Sequence, residues 1–260
     1  MDLLRERHDA VEVLTMNRPA AANSLDPPLL AELNAAFEDI ERDDRVRVVV
    51  LTGTGERHFC AGMDLASFSA APDQHANAGV AAAAAGGRTE LDLFLNACAK
   101  PIIAAVNGAA VGGGFELVLT CDLVVAAENA RFGMPEVRRG LLAGGGGTLL
   151  GTRIPLALAL QIGLTGQLVD VRFAEKWGLV NQVVPAGQLM DAALELAAAV
   201  AANGPLAVRT TKLLMRRAVA EQPERGWGTS EEVAAIFQSE DAREGAMAFM
   251  EKRDPQWKGR

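Results

Sequence analysis

The segment Ile102–Ala127, IIAAVNGAAVGGGFELVLTCDLVVAA, leaves a chain few ways to fold. Ile102–Val106 is a short, uninterrupted apolar run, the pattern of a strand buried on both faces. Asp122–Ala127 repeats that pattern. Between them lie a turn of three glycines, Gly112-Gly113-Gly114, and an apolar helix predicted to begin near Gly113. Strand, glycine turn, helix and strand in this order specify a mixed α/β core. The helix carries one ionisable residue, Glu116, about one turn after its start. A carboxylate amid FELVLT is costly to bury unless it is protonated, hydrogen-bonded or useful.

The flanking sequence extends the same reading. VEVLTM (Val11–Met16) alternates partly and predicts a strand. Asp26 can cap a helix that opens on Pro27 and Pro28. Leu29, Leu30, Leu33, Ala36, Phe37 and Ile40 carry that helix to about Arg42. Val46–Leu51 predicts a second buried strand, and Gly53–Ala66 a loop leading into a short helical turn. Ser69–Gly87 is low in complexity and reads as a loop or weak helix. A helix is predicted from about Arg88 to Ala99, stopped by Pro101. Beyond Pro155 the chain reads as helical apart from a strand at Leu179–Val184, with helices near Gly187–Ala202, Pro205–Ala220 and Glu240–Arg253.

Composition removes several function classes. The 260 residues carry 25 Lys and Arg against 33 Asp and Glu, a net charge of −8, which disfavours a nucleic-acid or anionic-membrane partner. No apolar run reaches the about 18–20 residues that span a bilayer, and MDLLRERHDA has no apolar leader region, so a cytoplasmic protein is expected. The 3 cysteines, Cys60, Cys98 and Cys121, are widely spaced and read as reduced structural thiols. The 3 histidines form no close pair, so no metal site is expected. VVVLTGTG (Val48–Gly55) has His58 where a dinucleotide fingerprint needs its third glycine, and Gly144–Thr148 lacks the Lys-Ser/Thr of a phosphate loop. No G-x-S-x-G is present. Chemistry therefore falls to carboxylates and backbone donors.

Two candidate features remain. Amides at the Gly112–Gly114 helix start are unpaired and carry the positive end of the helix dipole, and three glycines clear the approach of a ligand oxygen. Close packing of strand on helix explains the same glycines. Glu136, twenty residues after Glu116, follows Pro135 in RFGMPEVRRGL. It suits either a surface helix start favoured by the dipole or a partner for Glu116.

HFCAGMDLASF (His58–Phe68), Lys100–Leu141, LTGQLVDVRFAEKWGLVNQVV (Leu164–Val184), Ser239–Arg260 and MNRPAAANSLD (Met16–Asp26) together resemble the enoyl-CoA hydratase/isomerase, or crotonase, superfamily. The likeness spans nearly the whole chain, and its A-G-x-D and G-G-G-x-E pairing is specific. It implies an α/β fold, a spiral of repeated ββα units over residues 1–185, followed by a helical region, 186–260, that builds trimers or hexamers and completes the site. It implies an oxyanion hole from the backbone N–H groups of Met63 and Gly113, and catalytic glutamates at Glu116 and Glu136. Ala61, Asp64 and Leu65 fall where coenzyme A lies, with Asp64 also suited to a turn. Gly144 falls where an amide helps hold water. Lys252 matches a lysine that reaches CoA phosphate, and equally suits a solvated helix end. No separate cofactor is implied, coenzyme A being part of an acyl-CoA substrate of the kind met in fatty-acid metabolism.

Both glutamates are kept, which the resemblance associates with hydratases. Met63 replaces a common alanine, Ala20 a common lysine, Ala143 a common proline, and Leu149-Leu150 a polar pair. GGGFEL and the tail AFMEKRDPQWKGR resemble the carnitinyl-CoA dehydratase branch. A hydratase of that branch, an enoyl-CoA isomerase and a non-catalytic acyl-CoA binder are the alternatives.

Overall fold

The computed structural model describes residues 1–64, 98–144, 146–220, 238, 240–253 and 256. Ten strands and eight helices are described: β1 Leu3–His8, β2 Val11–Met16, α1 Pro27–Arg42, β3 Val48–Gly53, β4 His58–Cys60, β5 Ile102–Val106, β6 Ala109–Val111, α2 Gly113–Thr120, β7 Leu123–Ala127, β8 Arg131–Gly133, α3 Leu150–Arg153, α4 Leu156–Thr165, β9 Val169–Asp170, α5 Val171–Lys176, β10 Gln182–Val184, α6 Leu189–Ala201, α7 Pro205–Ala220 and α8 Glu240–Glu251. The low-complexity stretch Ser69–Gly87 and residues 88–97 of the helix expected from about Arg88 to Ala99 lie outside the described residues, while Cys98 and Ala99 are not helical.

Six strands form one sheet in the order β1-β2-β3-β5-β7-β10, parallel except for the β1–β2 hairpin. Such a sheet must be covered on both faces, and the alternation of its strands shows how. Val49, Leu51, Ile102 and Ala104 point to the face covered by Leu29, Leu33, Ala36, Phe37 and Ile40 of α1. Val48, Val50, Ile103 and Ala105 point to the opposite face, where Ala192, Ala193 and Ala197 of α6 cover them. Thus α6, within the 186–260 region, closes the core of the main sheet.

A smaller sheet runs β4-β6-β8-β9. The pairs β3–β4, β5–β6 and β7–β8 each give one strand to each sheet, so the chain winds as a spiral. The expected loop at Gly53–Ala66 is corrected here: it contains β4, whose three residues are too few to show a period. All eight residues of α2 are buried. Its entry is tight, because a Cβ at Gly114 would overlap the Cys60 carbonyl. Asn107 ties the spiral together by donating to the Gly55 and His58 carbonyls at 2.7 and 3.0 Å. The Lys100 ammonium is fully buried, donating to the carbonyls of Ile40 and Asp43 at the end of α1. No described helix is long and apolar enough to cross a membrane.

Cys60, Cys98 and Cys121 are free and buried. Burial pushes the thiols of Cys60 and Cys121 up to about 12 and that of Cys98 to about 11. At pH 8 they are protonated and poorly nucleophilic. Iodoacetamide at that pH is expected to leave the native protein unmodified by mass spectrometry and to add three labels once it is unfolded. A label acquired by the native chain at any of these cysteines would contradict the packing.

Candidate active site

The site is assembled where β4, β6 and the start of α2 meet. The loop Ala61–Asp64 is stitched to the turn before α1: Ala61 N–H donates to Ala22 at 3.1 Å, Leu25 N–H to Gly62 at 2.8 Å, and Asp64 N–H to Leu25 at 2.9 Å. Those last two bonds make Leu25 and Met63 a parallel bridge. In that geometry the Met63 N–H points away from Leu25, and it makes no bond to another described residue. Gly113 is the first residue of α2, so its N–H has no partner within the helix. The two amides are close: a Cβ at Gly62 would lie 2.8 Å from Gly113 N, and one at Gly113 would lie 3.6 Å from Met63 N. Gly62 has φ +88°, so glycine serves here for conformation as well as space. The Met63 side chain is 44% exposed and stands outside the amide pair.

Both glutamates reach this place. Glu116 N–H donates to Gly112 O at 3.0 Å, and its carboxylate Oε1 accepts from Gly147 N–H at 2.9 Å. Glu136 lies on the 3₁₀ turn Pro135–Arg139, opened by Pro135. Its Oε1 sits where a Cβ at Gly112 would be only 3.0 Å away, and its Oε2 is buried with no hydrogen-bond partner. Burial of this carboxyl raises its pKa above the ordinary carboxylate value, held back in part by its own N–H and by the Arg139 charge. The site thus combines two unpaired amides, a carboxyl of raised pKa packed against Gly112, and a second carboxylate one turn along α2 anchored by the Gly147 amide. The anchored carboxylate can orient water, the raised carboxyl can supply a proton, and the amides can hold an oxygen that gains negative charge.

Of the other residues singled out from sequence, Ala61 is exposed at the mouth of this loop. Asp64 accepts from Arg18 at 3.3 Å and Ser24 at 3.5 Å, as a turn residue does. Leu65 lies outside the described residues. Gly144 is half-buried at the start of the second glycine turn. Lys252 is exposed just beyond α8, with left-handed backbone, φ 55°. Gly147, whose N–H meets the Glu116 carboxylate, carries no distinguishing signal in the sequence. Four successive glycines mark a turn but not which amide will meet Glu116; a Cβ at Gly147 would lie 3.1 Å from Glu116 Oε1.

The chain as a whole is similar to known proteins. A carnitinyl-CoA dehydratase of Proteus mirabilis (strain HI4320) is 41% identical over 265 residues, covering 99% of this chain and 98% of its own. The structure of a carnitinyl-CoA dehydratase from Mycobacterium avium 104 superposes with TM-score 0.85 at 38% identity, covering 100% and 99% of the two chains. An enoyl-CoA hydratase structure from Bacillus anthracis gives 0.78 at 34% identity over 100% of each chain. The sequence profile described as enoyl-CoA hydratase/isomerase matches residues 6–260. The chain therefore belongs to the enoyl-CoA hydratase/isomerase family.

Proposed function

We propose that the protein is a hydro-lyase that adds water reversibly across the 2,3 double bond of a 2-enoyl-CoA thioester, giving a 3-hydroxyacyl-CoA. The observation that carries this reading is the pair of unpaired amides at the start of α2, with the Glu136 carboxyl packed against Gly112 and Glu116 one turn along the same helix. An enoyl thioester resists water because attack at C3 puts negative charge on the carbonyl oxygen. Met63 and Gly113 N–H groups stabilise that charge without reorganising. Glu116, held by Gly147, orients and deprotonates the water, and Glu136 delivers a proton to C2. Coenzyme A enters as part of the substrate along Ala61–Leu65, with Asp64 shaping the turn and Lys252 available to a phosphate. Gly144 belongs to the same water-holding turn.

The relatives named carnitinyl-CoA dehydratase favour a substrate of that type within this chemistry. Incubation with crotonyl-CoA, crotonobetainyl-CoA and a 3-enoyl-CoA decides between the readings. Loss of enoyl absorbance with formation of the 3-hydroxy product is expected from at least one 2-enoyl thioester. Conversion of the 3-enoyl substrate without hydration would indicate an isomerase, and tight binding without turnover an acyl-CoA carrier.

The same reading includes assembly as a trimer or hexamer through the helical region 186–260 and its neighbours. Leu156, Leu160 and Leu164 on α4 are 63%, 47% and 72% exposed, and Leu213, Leu214 and Met215 on α7 are exposed as well. Faces of this kind are characteristic of subunit contacts.

A further inference from the structure

Glu136 and Arg139 stand on the same 3₁₀ turn, three residues apart, where side chains eclipse. Opposite charges so placed ordinarily form a charge-assisted pair. These do not: no ion pair joins them, and Glu136 Oε2 and Arg139 Nε are both buried without a hydrogen-bond partner. The guanidinium lies instead over the ring of Phe249 on α8, 4.4 Å from its centroid. Helix α8 reaches this turn at a second point, Gly245, where a Cβ would overlap the Arg139 carbonyl. An aromatic face attracts a guanidinium while leaving its N–H groups unused.

We infer that Phe249 is a positioning residue for the acid: it holds the Arg139 guanidinium on α8, out of an ion pair with Glu136, so that the carboxyl stays free to donate a proton. This rests on the reading of Glu136 as proton donor. A paired carboxylate would be held ionised and would be a poor acid. The turn's other cation, Arg138, donates to the Thr165 carbonyl. Glu116 approaches from α2, and α4 (LALALQIGLT) has no ionisable side chain. On α8, Glu244 and Glu251 are engaged by Arg253, while Glu240 and Arg243 are exposed. From the amide loop, Asp64 is turned to Arg18. Among the described residues, Arg139 is thus the cation whose placement bears on the state of Glu136.

The test is the pH dependence of kcat for hydration of the best 2-enoyl-CoA found. Protonated Glu136 is required, so activity falls above its apparent pKa, and that alkaline limb reports the acid within the coupled carboxyl pair. Phe249→Leu keeps apolar volume but removes the ring face. It should free Arg139 to pair, moving the alkaline limb down by about one pH unit and costing about tenfold in activity above it. Arg139→Met should move the limb up. The double variant should restore a limb at or above the wild-type position, and Phe249→Tyr should keep the wild-type profile. Limbs unmoved in both Phe249→Leu and Arg139→Met, even with activity lowered uniformly, would overturn the inference. Should Phe249→Leu fail to fold, an unmoved limb in Arg139→Met would overturn it alone. Undiminished hydration by Glu136→Gln would instead overturn the proton-donor reading beneath it.

Discussion

Replacing Glu136 by glutamine is expected to lower kcat for hydration by about 10²–10⁴-fold, the usual contribution of a well-placed proton donor. The substitution is nearly isosteric, so the 3₁₀ turn and its contact with Gly112 should persist, and thioester binding should change little. The amide cannot give up a proton to C2. Its burial without a partner for Oε2 is what makes the carboxyl a ready donor. Glu116→Gln is expected to be as damaging for the complementary reason: an amide still accepts from Gly147 N–H but cannot take the proton of water. Because the two groups act on one event, the double variant should be little worse than either single one. Steady-state kinetics with matched thermal melts checks this. Multiplicative losses would mean that the carboxyls act in separate steps.

Gly62→Ala should be the other severe change. Its φ of +88° disfavours any side chain, and the added Cβ would come 2.8 Å from Gly113 N and 2.9 Å from Val111 O. Both neighbours are backbone and cannot swing aside. The loop carrying Met63 must then move away from α2, separating the two amides. Loss of one oxyanion donor costs about 3–4 kcal/mol, or about 10²–10³-fold in kcat. The melting temperature should also fall, since left-handed strain costs about 1–2 kcal/mol. Gly55 also has positive φ, +89°, but a Cβ there would meet nothing. Gly55→Ala should therefore share the strain and spare kcat. Equal kinetic losses in both variants would argue against the amide pair.

Much of the large sheet and its helices was legible in the sequence. Asp26 accepts from Leu29 N–H at 2.9 Å and Pro27 opens α1, so that helix begins where the cap and prolines place it. Buried β5 and the start of α2 likewise follow from an apolar run broken by glycines. Strand β1 was not legible: LLRERH is mostly exposed and pairs only along one edge, so no apolar period marks it. Strands β4, β6 and β8, of three residues each, exist because the spiral aligns them. At the site, both glutamates and the two candidate amides could be singled out beforehand. The bond from Gly147 to Glu116 and the stack of Arg139 on Phe249 could not, since each depends on segments that meet only in three dimensions.

In the proposed reaction two backbone amides hold the thioester oxygen while two carboxyls add water to the adjoining double bond. A crystal structure of Glu136→Gln with a bound 2-enoyl-CoA tests it most directly. The thioester oxygen is expected about 2.7–3.1 Å from both Met63 N and Gly113 N, with C2 facing residue 136 and a water on Glu116 facing C3. A thioester oxygen held by other groups, or an alkene turned away from the two carboxyls, would contradict it.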